Sequence, residues 1–204
     1  MEGARAERRL IRREAPCAET AGEPSPGLLE ACRKGDREAL GVLFDRYKDF
    51  VYSLAVHWTH DRTLAGDVTQ EVFLKVLTRV AQFRGEARFT SWLARIVINT
   101  VWDQKRAARE TLPLPDEREF VMPFAGSSPE EDAGRKEARL MVRNAVAGLS
   151  AKLRAPIVLR YVGGLSYEEI SEVLRISPGT VASRLSRALR ALAKMSTSSR
   201  GEAE

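Results

Sequence analysis

Little in this chain could staple it, bind a metal or perform catalysis. Only two cysteines and two histidines occur among its 204 residues. Cys17 and Cys32 are too few for a disulfide framework, and neither stands at metal-ligand spacing from His57 or His60. The two histidines, three apart and flanking Trp58, read as packing or surface residues, so no metal site is expected. No apolar run approaches the ~20 residues of a membrane span. The N-terminus carries arginines without the apolar segment of a secretory signal. There is no Ser/His/Asp set, no pair of acids in a cleft-forming context and no glycine-rich phosphate loop. The chain is therefore expected to be cytoplasmic and reduced, with no catalytic residue, no cofactor and no small-molecule substrate.

Proline is missing altogether between Leu28 and Glu110. In that stretch apolar residues recur at three and four, the spacing of one helix face. Strand alternation of useful length is lacking along the whole chain. The expectation is an all-α protein. Residues 1–26 hold too few apolar side chains to repay the entropy of ordering and read as a disordered arm. Residues 111–127, with Pro113, Pro115, Pro123 and Gly126, read as a flexible linker. Ser128-Pro129-Glu130-Glu131 then has a cap, a first-turn proline and first-turn acids, the start signal of a helix. The predicted organisation is an arm (1–26), a helical module (27–110), a linker (111–127), a second helical module (128–195) and a tail (196–204).

Charge is segregated. The net charge is +5. Residues 76–110 carry +4, residues 111–139 carry −3, and residues 173–204 carry +4 with no acid between Glu172 and Glu202. Two basic blocks flanking an acidic stretch fit two separate contacts with nucleic acid.

The sharpest motif is Leu165-Ser166-Tyr167-Glu168-Glu169-Ile170, followed by Ser177-Pro178-Gly179-Thr180-Val181. Ser166 and Glu169 are spaced as a capping box. Ser177 caps a second helix with Pro178 in its first turn. Two short helices joined by a three-residue turn make a helix-turn-helix. On the second helix Val181, Leu185, Ala188, Leu189 and Leu192 share one side, and Ser183, Arg187, Arg190 and Lys194 lie opposite with Arg184 at the flank. Such a helix can lie in a major groove, where arginine suits guanine and serine or threonine suits phosphates or either base. Thr180, Ser183, Arg184, Arg187 and Arg190 are its candidate DNA contacts.

In the first module, Asp67 to Leu77 place Val72, Phe73, Val76 and Val80 on one face. Asp67, Gln70, Glu71, Leu74 and Thr78 fall on the other. A leucine among acids fits a protein-binding surface, though a plain solvated face is also possible. Next, Phe83 to Arg106 predict a helix started by Thr90 or Ser91, with Leu93, Ala94, Val97, Ile98 and Val101 buried. Arg95, Asn99, Asp103 and Arg106 fall opposite. A basic face bordered by aromatics suits single-stranded DNA. Trp92 reads as core rather than stacking platform. Asp103 reads as a partner of Arg106 or Arg95. Asn99, Phe83 and Phe89 fit either packing or strand contact.

Residues 179–188, Gly-Thr-Val-x-Ser-Arg-Leu-x-Arg-Ala, resemble the region-four helix-turn-helix of extracytoplasmic-function sigma factors. The family often has a lysine or arginine where Ala182 stands. The segment 67–77 resembles region two-two. Residues 83–106 resemble regions two-three and two-four, and the helix read from Leu28 through Tyr52, with Gly35 to Ala39 and Leu43-Phe44-Tyr47, resembles region two-one. The resemblance implies a promoter-reading subunit with core RNA polymerase and promoter DNA as partners, and an anti-sigma factor as a further expected partner. It implies Asp67, Gln70, Glu71 and Leu74 as polymerase contacts. It implies Arg84, Phe89, Arg95, Asn99 and Arg106 as minus-ten contacts, and the helix-turn-helix residues above as minus-thirty-five contacts. A helix-turn-helix alone would also fit a two-domain regulator that acts on duplex DNA without being a polymerase subunit.

Overall fold

The computed structural model describes residues 22–111 and 141–201. They fall into two compact units, one on each side of the span 112–140. Among the described residues every regular element is a helix.

The first unit begins with α1 (Pro26–Arg33), capped by Ser25, whose hydroxyl accepts the Leu28 N–H at 3.2 Å. The sequence reading ran one helix from Leu28 through Tyr52, and here the structure differs. Gly35 takes a left-handed φ of 80°, which ends α1. Asp36 then accepts from the amides of Glu38 and Ala39 and starts α2 (Arg37–Thr59). A glycine free of the Cβ penalty beside a capping carboxylate outweighs the continuous apolar period across the break. His60, also left-handed, closes α2, and Asp61 caps α3 (Arg62–Arg79) at 2.7 and 3.0 Å. A tight turn at Val80–Gln82 leads through residues 83–88 to α4 (Phe89–Thr111).

The apolar stripes of α2, α3 and α4 meet in one core. Leu43, Tyr47, Phe50, Val51 and Leu54 come from α2, Val68, Val72 and Val76 from α3, and Leu93, Val97, Ile98 and Val101 from α4. At one end lies an aromatic cluster. Phe89 sits 4.9 Å from Tyr47, 5.1 Å from Phe83 and 5.3 Å from Trp92, ring centre to ring centre. Trp92 is in the packing, as read from sequence. Phe89 is fully enclosed, at 0% exposure.

Residues 22–26, placed by sequence in a disordered arm, belong to this unit. The Tyr47 hydroxyl donates to the Gly22 carbonyl at 2.7 Å. The Glu23 carboxylate accepts the Phe89 amide at 2.9 Å and Arg88 Nε at 3.3 Å. An acid from far upstream thus caps α4, favourably placed against the positive end of its dipole. The predicted starters Thr90 and Ser91 are instead buried one and two residues inside the helix. Residues 1–21 and the predicted helix start at Ser128 lie outside the described residues; so does the predicted linker 111–127, apart from Thr111.

The second unit contains α5 (141–147), α6 (Ala151–Ile157), α7 (Tyr167–Leu174) and α8 (Pro178–Gly201). Between α6 and α7 the chain widens at Val158–Val162, and the Gly163 amide reaches back five residues to the Val158 carbonyl. A Cβ on Gly163 would stand 2.8 Å from the Leu159 carbonyl oxygen, so only glycine fits this return. Arg154, 2% exposed, donates to the carbonyls of Ala147 and Leu149 at 2.9 and 2.8 Å, at the C-terminal end of α5. The capping box forms as the spacing predicts, with Glu169 accepting the Ser166 amide at 2.6 Å and Ser166 accepting the Glu169 amide at 3.2 Å. Arg175, left-handed, ends α7, and the Ser177 hydroxyl accepts the Thr180 amide to start α8. Ile170, Val173, Val181, Leu185, Ala188 and Leu192 hold the two helices on the unit.

Candidate nucleic-acid and partner interfaces

The face of α3 away from the core carries Asp67, Gln70, Leu74 and Thr78 in the open, and Leu74 is 58% exposed. Leu77 is exposed beside them, and Phe44 of α2 is exposed with its ring edge on Phe73 at 4.6 Å. Glu71 is different. It is half-buried, and its carboxylate binds Lys75 Nζ at 2.7 Å and Gln104 Nε2 at 2.8 Å. Burial pushes this carboxyl upward, but the hydrogen bonds from Lys75 and Gln104 outweigh burial and hold it below the ordinary value. Of the four expected polymerase contacts, Asp67, Gln70 and Leu74 point out and Glu71 ties α3 to α4.

Between the C-terminal half of α3 and the middle of α4 is an open recess of about 320 Å³, lined by Lys75, Arg79, Ile96, Asn99, Trp102, Asp103 and Arg106. Three cations, an amide and an exposed indole meet there, with Ile96 as an apolar floor. The sequence reading placed Asn99 and Arg106 on this face, and both line the recess. It missed Trp102, which is 49% exposed. The available signal was Trp102's position three after Asn99, on the same helix face. Lys75 and Arg79 could not be found from α4 alone, because they arrive from α3.

The remaining predicted strand contacts scatter. Arg84 is exposed in the 83–88 loop, 4.0 Å from Glu86. Arg95 is half-buried and outside the recess. Phe89, expected as a strand contact, is sealed in the aromatic cluster and cannot stack on a base without opening the core. Asp103 pairs with neither Arg106 nor Arg95, the partners read from sequence, but lies 3.6 Å from Lys75 across the helix pair.

In the second unit, Ser183, Arg187 and Arg190 lie exposed along α8, opposite the buried Val181, Leu185 and Ala188. Arg184 and Thr180 are half-buried at the flank. The Thr180 and Ser177 hydroxyls share a hydrogen bond at 2.9 Å, and the Ser183 hydroxyl donates to the Thr180 carbonyl at 3.0 Å. Beside the helix-turn-helix, the Arg160 guanidinium lies 5.4 Å over the Tyr167 ring and donates to the Leu165 carbonyl at 2.7 Å. No helix among the described residues is long and apolar enough to cross a membrane. Nor do three or more His, Cys, Asp or Glu side chains gather there to hold a metal.

A helical module with a cation-and-aromatic recess, together with a second module built on a capped helix-turn-helix with a basic outer face, defines a two-module protein of the helix-turn-helix class. Residues 43–111 match the family model for sigma-70 region 2, and residues 139–192 match that for sigma-70 region 4. The chain is 35% identical to the RNA polymerase sigma-H factor of Pseudomonas aeruginosa, over 84% of this chain and 93% of that protein. It is 35% identical to the ECF RNA polymerase sigma-E factor of Escherichia coli K12, over 81% of this chain and 90% of that protein. Among solved structures it is similar to CnrH in complex with the cytosolic domain of CnrY, with TM-score 0.63 and 25% identity over 84% of this chain and 96% of that one. The fold is also that of the sigma factor RpoE from Bartonella quintana, solved with the anti-sigma factor NepR, with TM-score 0.61 and 21% identity over 76% and 94% of the two chains. The chain belongs to the extracytoplasmic-function RNA polymerase sigma factors and directs promoter-specific initiation of transcription. The alternative of a regulator acting on duplex DNA alone finds no support, since both sigma regions are matched in order along the chain.

Proposed function

We propose that the recess between α3 and α4 takes one unstacked nucleotide of the minus-ten strand, and that the outer face of α8 reads the minus-thirty-five duplex. The observation that carries this reading is the recess itself: Asn99 and the Trp102 indole stand beside Arg79 and Arg106, an amide to pair with a base edge, an aromatic face to stack on it and cations for its phosphates. Extracting a base from duplex costs a few kcal/mol, and stacking returns about 1–3 kcal/mol per base. On α8, Arg187 and Arg190 are the guanine or phosphate contacts, Ser183 and Arg184 flank them, and Thr180 serves the helix start as well as the backbone of the DNA.

Core RNA polymerase binds the exposed face of α3 through Asp67, Gln70 and Leu74, and the exposed Phe44 and Leu77 give that face the apolar anchors a protein interface needs. Glu71 supports the face from within. The chain is an initiation factor with no catalytic step of its own, working where cytoplasmic polymerase works. An anti-sigma factor is its regulatory partner, as the solved relatives with NepR and the CnrY cytosolic domain suggest by likeness.

The test is run-off transcription from a genomic library with purified core polymerase, with and without this chain. New start sites that depend on the chain are expected. Leu74→Asp is expected to weaken holoenzyme formation at least tenfold while leaving thermal unfolding of the chain unchanged, because Leu74 is an exposed anchor and not part of the core. Normal holoenzyme assembly by that variant would remove the α3 face from the proposal.

A further inference from the structure

Lys75 has three donors on its ammonium and three acidic or hydroxyl partners around it. Two partners are fixed. Glu71, at 2.7 Å, is held in turn by Gln104, and the buried hydroxyl of Thr100 is at 3.0 Å. The third is not. Asp103 sits at 3.6 Å, beyond good hydrogen-bonding distance, and its side chain is 61% exposed. With one partner this open to solvent and the distance this long, the pair adds little to stability, and the carboxylate faces a recess whose other charged groups, Arg79 and Arg106, are cations. A carboxylate in a recess that receives a polyanion occupies a place where a phosphate oxygen would otherwise sit.

We propose that Lys75 is a latent phosphate-binding residue of this recess and that Asp103 masks it as an internal competitor. The proposal rests on the reading of the recess as a strand-binding site. A strand phosphate arriving at Arg79 or Arg106 displaces Asp103 toward solvent and takes its place on Lys75. Lys75 keeps Glu71 and Thr100 throughout, so the α3–α4 junction does not loosen. Asp103 thereby lowers the affinity of the free chain for any single strand, whatever its sequence. Strand capture then depends on the additional contacts that polymerase and the upstream duplex provide.

The experiment measures binding of a fluorescent single-stranded oligonucleotide to the full chain across a salt series, for the wild type and for Asp103→Asn, Asp103→Glu and Trp102→Ala. Asp103→Asn is expected to bind roughly fivefold more tightly, the factor carried by one water-screened unit charge at contact range. Its slope of log affinity on log salt is expected to steepen by about 0.7, the release of one counterion by one new phosphate contact on a single strand. Asp103→Glu is expected to return to wild-type values. In a Lys75→Gln background the gain from Asp103→Asn is expected to fall below twofold with no change of slope. Equal affinity and slope for Asp103→Asn and wild type would overturn the proposal, as would an undiminished gain without Lys75. Trp102→Ala separates the two levels of inference. If removing the indole leaves strand binding unchanged, the recess is not the strand site; if it weakens binding while Asp103→Asn has no effect, only the masking fails.

Discussion

Tyr47 shows how one side chain joins the N-terminal strap to the core. Its ring packs on Phe89 while its hydroxyl reaches the Gly22 carbonyl. Burial, reinforced by the Glu23 charge, pushes the phenol from 10.0 up to about 12. The folded state therefore keeps a proton that the unfolded chain has released between those values. Fewer protons bound in the unfolded state mean stability that falls as pH rises. Tyr47's contribution is complete below pH 10 and is lost as pH climbs through about 12. Tyr47→Phe is expected to cost about 1 kcal/mol at neutral pH, the net value of one hydrogen bond. The gap between the two proteins is expected to close and then reverse as pH rises through that window, because a shift of about two units outweighs one hydrogen bond, and urea titrations of both across the alkaline range would measure it. None of this was legible in the sequence, because Gly22 and Tyr47 are joined only by the fold. The same limit applies to Phe89, because no local pattern could show that it is sealed by three other rings. Trp102, on the same helix, differs, since its place three after Asn99 puts it on the outward face.

At the scale of elements, legibility follows the range of the interactions that set each boundary. The starts of α7 and α8 come from contacts three residues apart, Ser166 with Glu169 and Ser177 with Thr180, and spacing alone located them. The start of α4 is set by Glu23, more than sixty residues upstream, and the sequence reading chose Thr90 or Ser91 instead. The α1–α2 break lies between these cases. Gly35 and Asp36 are local signals, but both helices share one apolar period and the period masked them. Gly35→Ala tests the weight of that break. The residue sits at φ 80° with nothing within 4 Å of a new Cβ, so the cost is conformational and not steric. It is expected to destabilise the first unit by about 1–2 kcal/mol. A midpoint shift in chemical unfolding without a change in slope would register it.

On the proposed reading the whole molecule divides its work between two units, and this makes the effects of mutation separable. Arg187 is exposed on α8 in the second unit, and Asn99 lines the recess of the first. If α8 reads duplex and the recess takes a strand, Arg187→Ala weakens the first encounter with promoter by about 1–3 kcal/mol when it contacts a base. The loss is expected in closed-complex affinity, while the rate of opening from a fully bound complex stays near that of the wild type. Asn99→Ala has the opposite signature, because the opened strand is available to it only after the duplex yields: closed-complex affinity is retained and the opening rate falls. The double variant is expected to show the sum of the two losses, since residues in separate units with no shared partner behave additively. Footprinting of the closed complex together with permanganate reactivity of unpaired thymines reads the two steps independently. If Asn99→Ala lowered closed-complex binding as much as Arg187→Ala, Asn99 would be touching duplex, and the division of labour between the units would have to be redrawn.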